Sequence, residues 1–472
     1  MKLLKKRSVS VALLLLAVFC VLCCFPTTAL AYQGDPTFGN SDYYNVAAEK
    51  EDAVITLDGN GGILSDSTRG QSGNPVIIER KGVYRISGQA EDVTILIREP
   101  KKSGNIYLIL DHAFLVNSTA PCIQAEAAEK VILQCVGENS LTCTSEDAAA
   151  VFSNDDLTVN GTGRLRIASG KHGIHCTGTL RITGAVLSVE AENDGLKGKY
   201  GICIDGGKTT VTKSYEGLEA AQVVMRSGEL SVRASDDGIN ASGKDDIQGD
   251  VLIQGGSLTI RADGDAIDSN RSILIEGGTV LVEGPMNGRN SIFDKGDSSD
   301  AVMSISGGTV LAVGSANKAK NFEHGTQYSR LEMISGHAGD VISLDDGTGL
   351  SLTVSRDYEC VIASSPSFTE SSRIIVSGAD SSAVPAEWEL ARQTELSEEQ
   401  QTLFSEALER LTGVNYEPLA FLGAKGDLHC FLCRATVVYP EATPYYALVY
   451  IRSVDGKAEI SEIRELELEP GP

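Results

Sequence analysis

Only one tryptophan, Trp388, occurs in 472 residues, and aromatic residues make up 6% of the chain. Flat neutral chains such as cellulose are gripped by aromatic faces, so this scarcity counts against a crystalline neutral target. Positive charge is also short: 40 Lys and Arg stand against 64 Asp and Glu, a net charge of −24. That balance excludes nucleic acid and anionic membrane as electrostatic partners. An acidic polymer would have to be held through bridging cations or local basic clusters. Beyond the first 31 residues no apolar run is long enough to cross a bilayer, so no membrane span is expected in the mature chain. A leucine-rich frame with an asparagine ladder is missing as well, which sets aside a horseshoe solenoid. Neither a sortase-type tail nor a dockerin-like repeat is visible.

Residues 1–31 read as a secretory signal. Lys2, Lys5, Lys6 and Arg7 form its basic end, Val9 to Phe25 its apolar centre, and Ala29-Leu30-Ala31 its cleavage site. Cys20, Cys23 and Cys24 are preceded by bulky residues or by another Cys, which disfavours a lipoprotein signal. The expected location is therefore extracellular, either secreted or associated with the cell surface. Losing those four positive charges takes the net charge to −28. Residues 32–50 read as a mobile leader.

What the chain does have is a repeat. Between His172, Asp194, Glu216, Asp237 and Asp265 the steps are 22, 22, 21 and 28 residues. Five residues before each stands Ile167, Val189, Val211, Val232 or Ile260, and four earlier again Gly163, Ala185, Gly207, Gly228 or Gly256. A period near 22 built from β-branched runs and glycine turns is one coil of a solenoid. Alternating Val and Ile in segments such as Leu258-Thr259-Ile260 suit strands stacked in parallel. The expected fold is mainly β, a parallel β-helix over residues 51–378, with the five β-branched residues facing inward in one column.

Stacked coils lie about 4.8 Å apart, so residues at equal register form columns. One column reads His172, Asp194, Glu216, Asp237, Asp265; another reads His175, Lys197, Glu219, Asn240, Asp268. Two carboxylates at that spacing repel by roughly 3.5 kcal/mol at an effective dielectric near 20. Protonation or Lys197 would offset this, as would a hard cation, and oxygen donors at several points suit Ca²⁺ above all. The expected calcium ligands are Asp194, Glu216, Glu219, Asp236, Asp237, Asn240, Asp265 and Asp268. Solvated turn carboxylates are the plainer alternative, since Asp and Asn are ordinary turn residues.

The frame continues at Gly278–Val282 and Gly308–Ala312, and the step of 30 between them predicts a projecting loop over 284–300. With the loop 242–250 it is the expected seat of specificity. Asn270, Arg271, Asn287, Arg289, Asp294 and Lys295 are the candidate sugar contacts. Cys122 and Cys143 lie 21 apart, a spacing that would stack them on successive coils. The eight cysteines beyond residue 31 are compatible with disulfides but fix no pairing.

Several motifs together carry a resemblance: Thr56-Leu57-Asp58-Gly59-Asn60, Gly82-Val83-Tyr84-Arg85-Ile86-Ser87-Gly88, Ser214-Tyr215-Glu216-Gly217-Leu218-Glu219, Ser235-Asp236-Asp237-Gly238-Ile239-Asn240-Ala241, Asp265-Ala266-Ile267-Asp268-Ser269-Asn270 and Ser364-Ser365-Pro366. In these the chain resembles the secreted bacterial carbohydrate-binding domain-containing proteins over about residues 51–378. The resemblance implies a right-handed parallel β-helix with calcium in its turns, pectate-lyase-like in shape, binding acidic plant polysaccharide without established catalysis. Ala266 stands where the motif usually has Gly, and Arg271 follows Asn270 where Gly is usual. The Cβ of Ala266 is expected to alter the last turn.

After a linker over 379–392, residues 393–472 change in pattern. Ser397–Leu411 reads as an amphipathic helix capped by Ser397, with Leu403, Phe404, Leu408 and Leu411 on one face. Four strands follow, near Tyr416–Phe421, Leu428–Tyr439, Tyr445–Arg452 and Ala458–Leu468. One helix and an antiparallel meander resemble the small α+β cystatin-like folds. Gly423-Ala424-Lys425-Gly426 does not match their protease-blocking loop, so packing or protein contact is the expected role. Cys430 and Cys433 lie in a strand rather than at a helix N-terminus, and the domain shows too few further ligands for zinc. Structural thiols are expected there, with one strained disulfide as the alternative.

Three functions compete: a non-catalytic, calcium-dependent binder or adhesin for a polysaccharide such as polygalacturonate; a β-helix lyase or hydrolase; and a spacer whose calcium is structural. A lyase would draw its base from Lys197, Lys199 or Arg271, but a Lys beside carboxylates is held in its charged form.

Overall fold

A computed structural model describes residues 38–378 except 48, 101, 102 and 245, together with 389–390, 396–408, 411, 414–425, 428–437, 444–454 and 457–466. The signal segment and Trp388 lie outside the described residues. Two units separate, 1–376 and 377–472.

The first unit is a parallel β-solenoid of about eight turns. Its register is the one the repeat predicts. Ile167 pairs with Val189, Val189 with Val211, Val211 with Val232, and Val232 with Ile260, all five buried in one core. A second sheet runs up the solenoid with one short rung per coil: Val151–Ser153, Ile174–Cys176, Leu196–Gly198, Leu218–Ala220, Ile239–Ala241, Ile267–Ser269 and Phe293–Lys295. Alternation across the pleat sends the first residue of each rung into the core and the second outward.

Between the two sheets the chain turns at Asp194-Gly195, Glu216-Gly217 and Asp237-Gly238. Backbone bonds of 2.9 Å from Gly195 N to Glu216 O, Gly217 N to Asp237 O and Gly238 N to Asp265 O stack these turns directly. Here glycine is a packing requirement. A Cβ on Gly217 would lie 2.2 Å from Val232 Cγ1 and 2.3 Å from Gly238 O. Ala266 takes the next place in this column with its Cβ in the core, and Asp265 and Asp268 still converge with Asp237.

Other expectations change. Cys122 bonds backbone to backbone with Ala150 in the turn column, whereas Cys143 pairs with Asn117 and Ser169 on the other sheet. The 21-residue spacing therefore does not stack these two cysteines. All eight described cysteines are free and buried. The loop predicted over 284–300 is interrupted by the rung Phe293–Lys295, because Phe293 stacks on Ile267 in the core. Nor is the leader loose from residue 38 onward. Asp42, in the short helix Asn40–Tyr43, is 0% exposed and binds Lys130 Nζ at 2.8 Å and Thr158 Oγ1 at 2.5 Å. Antiparallel pairs close both ends of the stack, Ala53–Gly59 with Gly61–Leu64 and Thr309–Gly314 with Cys360–Ser364. Such caps pair the terminal strands of the larger sheet, while the rung sheet ends on Phe293–Lys295.

Among the described residues the second unit is an antiparallel sheet with one helix, Glu398–Leu408. Ser397 caps the helix reciprocally: Gln400 N donates to Ser397 Oγ at 3.2 Å and Ser397 N to Gln400 Oε1 at 2.9 Å. Phe404 packs on Phe431, Cys433, Val449 and Ile451. The helix stops before Leu411, which is 39% exposed, so Leu411 does not join that face. Among the described residues the sheet has five strands, because Glu389–Leu390, expected as linker, pairs with Ala424 and Gly423.

Candidate functional site

The outward residues of the rung sheet form the second column in register: Phe152, His175, Lys197, Glu219, Asn240, Asp268 and Asp294. Beside them run the turn residues His172, Asp194, Glu216, Asp237 and Asp265. Of the eight residues expected to meet metal, seven acids and the amide Asn240, six carboxylates gather in two groups of unlike character.

In the first group Asp194, Glu216 and Glu219 bring carboxylate oxygens within 4.8 Å of one another. A cation already sits there. Lys197 Nζ lies 2.7 Å from Asp194 Oδ2 and is bonded to Glu219, while His172 Nδ1 lies 3.0 Å from the same Asp194 oxygen. Burial opposes the lysine's charge, but its bonds to Asp194 and Glu219 prevail and hold the ammonium above its ordinary pKa. Burial likewise pushes Asp194 up, and His172 and Lys197 more than reverse it, leaving Asp194 below the usual carboxylate range. Glu216 lacks such a partner. Burial, with the fields of Glu219 and Asp194, pushes it up to about 7 although Asn240 Nδ2 donates to it at 3.2 Å.

In the second group Asp237, Asp265 and Asp268 converge equally closely. Among the described residues none of the three forms an ion pair. Burial first, then Asp265, Asp236 and Asp268, push Asp237 up to about 7. Burial with Asp265 and Asp294 takes Asp268 to about 6, and Asp265 is raised by burial and by Asp294. These are carboxylates short of positive charge. Asp237 Oδ1 accepts from Asp265 N at 2.7 Å, and Asp265 accepts from Ser291 N, so the backbone orients both. Gly264 leaves the space: a Cβ there would lie 2.4 Å from Asp237 Oδ1 and 2.5 Å from Asp236 Oδ1. Asp236 stands at the edge of this group and bonds Tyr215. The donor set, all hard oxygen, fits Ca²⁺ at Asp237, Asp265 and Asp268 better than at the lysine-filled group.

The candidate sugar contacts scatter. Asn270 Nδ2 bonds Ser242 O, and Arg271 is held by Asp250 at 3.1 Å with Asp300 at 3.6 Å. Asn287 caps its own turn through Arg289 N and Asn290 N, leaving the Arg289 side chain exposed. Asp294 and Lys295 belong to a rung, and Asp294 stacks on Asp268, which places it with the acids. Lys295 Nζ donates to Gly296 O at 3.4 Å. Of the three lyase-base candidates, Lys197 is held charged, Lys199 lies over the Tyr200 ring at 4.7 Å and Arg271 is paired. None is a free, desolvated base.

A profile of the carbohydrate-binding domain-containing proteins matches residues 72–223 and 219–327, more than half of the chain and the whole of both acidic groups. The chain belongs to this family. A relative of the same description from Acetivibrio thermocellus is 30% identical over 179 residues, which is 35% of this chain and 62% of that relative's length. The chain thus spans less than two thirds of the relative. A solved structure described as a polysaccharide lyase-like protein from C. thermocellum, gadolinium derivative, is 28% identical with a TM-score of 0.41, covering 54% of this chain and 96% of that one. No described helix is long and apolar enough to cross a membrane.

Sequence reasoning missed two features of this face. Phe152 and Gln124 continue the column below His175, a continuation hidden because the turn before Phe152 has Ala149-Ala150 in place of an acid and Gly. Lys197 was visible as one possible offset, but only the distances show that it bridges two acids.

Proposed function

We propose that this is a secreted, non-catalytic, calcium-dependent binder of acidic polysaccharide such as polygalacturonate. The observation that carries the reading is the Asp237–Asp265–Asp268 group: three convergent carboxylates without an ion pair among the described residues, lying on an outward face. A divalent cation there would offset two of the three carboxylate charges and keep positions free for a uronate carboxylate. That supplies the bridge a protein of net charge −24 needs to hold a polyanion. Affinity for calcium alone should be weak, on the order of 10⁻⁴–10⁻³ M, as in extracellular calcium modules.

The test is a polygalacturonate pull-down with calcium and with chelator, run beside an assay for unsaturated product. Retention in calcium, release in chelator and no product support the binder. Product formation would make the protein a lyase, and retention unaffected by chelator would remove the metal from binding.

A further inference from the structure

The rung column changes character below the acids. From His175 to Asp294 every outward residue is polar, yet the next position holds Phe152, half-exposed beside Gln124. The part of its ring left uncovered in a column of polar side chains is apolar surface that a ligand could bury. His175 stands edge-on to its ring, centroids 5.2 Å apart at 78°, and His172 packs on His175 at 5.2 Å. Together with Gln124, Asp147 and Lys171 they line a groove of about 350 Å³.

The geometry points to a pyranose subsite here, holding one uronate ring of the chain bound at the cation group. A pyranose has an apolar C–H face and a rim of hydroxyls, and this groove offers one aromatic face ringed by polar groups. Burial, with the ammonium of Lys197 nearby, pushes His175 down to about 4, so at neutral pH its imidazole can both donate and accept. Lys171 Nζ is held by Asp147 O at 3.2 Å and keeps further protons for a carboxylate. Five rungs separate Phe152 from Asp268, about 24 Å at the strand spacing, so one extended polymer can engage both places. This inference rests on the calcium-dependent reading above and adds a second contact, independent of the metal.

The test uses the mature protein, polygalacturonate titrated calorimetrically in saturating calcium, and thermal unfolding with and without calcium. Phe152→Ala should weaken polygalacturonate about tenfold, as truncation of a central aromatic contact does, with its calcium-induced thermal shift intact. Phe152→Tyr should recover most of that affinity. Asp268→Asn should lose the thermal shift and the polymer together. Unchanged affinity in Phe152→Ala while Asp268→Asn fails would overturn the subsite and leave the metal reading standing. Loss of the calcium shift in Phe152→Ala would also overturn it, since the effect would then be structural. A wild-type protein that ignores polygalacturonate in calcium would sink both.

Discussion

Replacing Asp237 by Asn should have opposite effects with and without calcium. Folding moves this carboxyl from an ordinary 3.8 to about 7, chiefly by burial. At 1.36 kcal/mol per unit the gap corresponds to about 4 kcal/mol, and partial exposure to solvent reduces it to roughly 1–3 kcal/mol. Between those two values the folded protein holds a proton that the unfolded chain has released. Stability therefore falls as pH rises through the window, and the full penalty is in force above about pH 7. Asn carries no charge and keeps Oδ1 for the bond from Asp265 N. Without calcium at about pH 8, the variant should thus be more stable than wild type by ~1–3 kcal/mol, and the gain should vanish near pH 4. With calcium the order should reverse: a cation at a thousandfold excess over its Kd stabilises wild type by about 4.1 kcal/mol, which the variant forgoes. Urea denaturation at about pH 5 and about pH 8, in calcium and in chelator, reads all four corners. A variant no more stable than wild type in chelator at about pH 8, with an undiminished calcium response, would refute the reasoning. An exposed acid outside the columns, Asp58, serves as the control.

Three further outcomes are expected. Lys197→Gln leaves Asp194 and Glu219 without their ammonium, so it should destabilise by roughly 1–3 kcal/mol and let added calcium recover the loss, seen as a larger calcium-induced melting shift than in wild type. Gly217→Ala puts a methyl 2.2 Å from Val232 Cγ1 and should cost about 1–3 kcal/mol in chemical denaturation. Asp42→Ala strands Lys130 and frees the segment 38–46 from the solenoid, so the Asn40–Tyr43 stretch should become protease-sensitive, with a stability loss of about 3–5 kcal/mol.

The solenoid was legible because its two constraints repeat. A β-branched residue must face the core at Ile167 and its four equivalents, and the Gly following the turn acid must clear the next coil's Val or Ile. Both signals survive in sequence at fixed spacing. Phe293–Lys295 escaped because that rung lacks the turn acid and Gly, and only burial of Phe293 on Ile267 betrays it. The docked segment around Asp42 escaped for another reason: its partners Lys130 and Thr158 lie 88 and 116 residues away, and no local pattern reports them. In the candidate site the column of acids could be read directly. The division into a lysine-filled group and an unpaired group depends on the reach of one side chain, Lys197 Nζ, which spacing alone does not specify.

The most direct measurement is a crystal structure of the mature protein grown with calcium and an oligogalacturonate, with anomalous difference density used to place the metal. An ion at Asp237, Asp265 and Asp268 that also ligates a sugar carboxylate is the expected result. Sugar bound elsewhere, or bound over this face with no ion among the three aspartates, would contradict it.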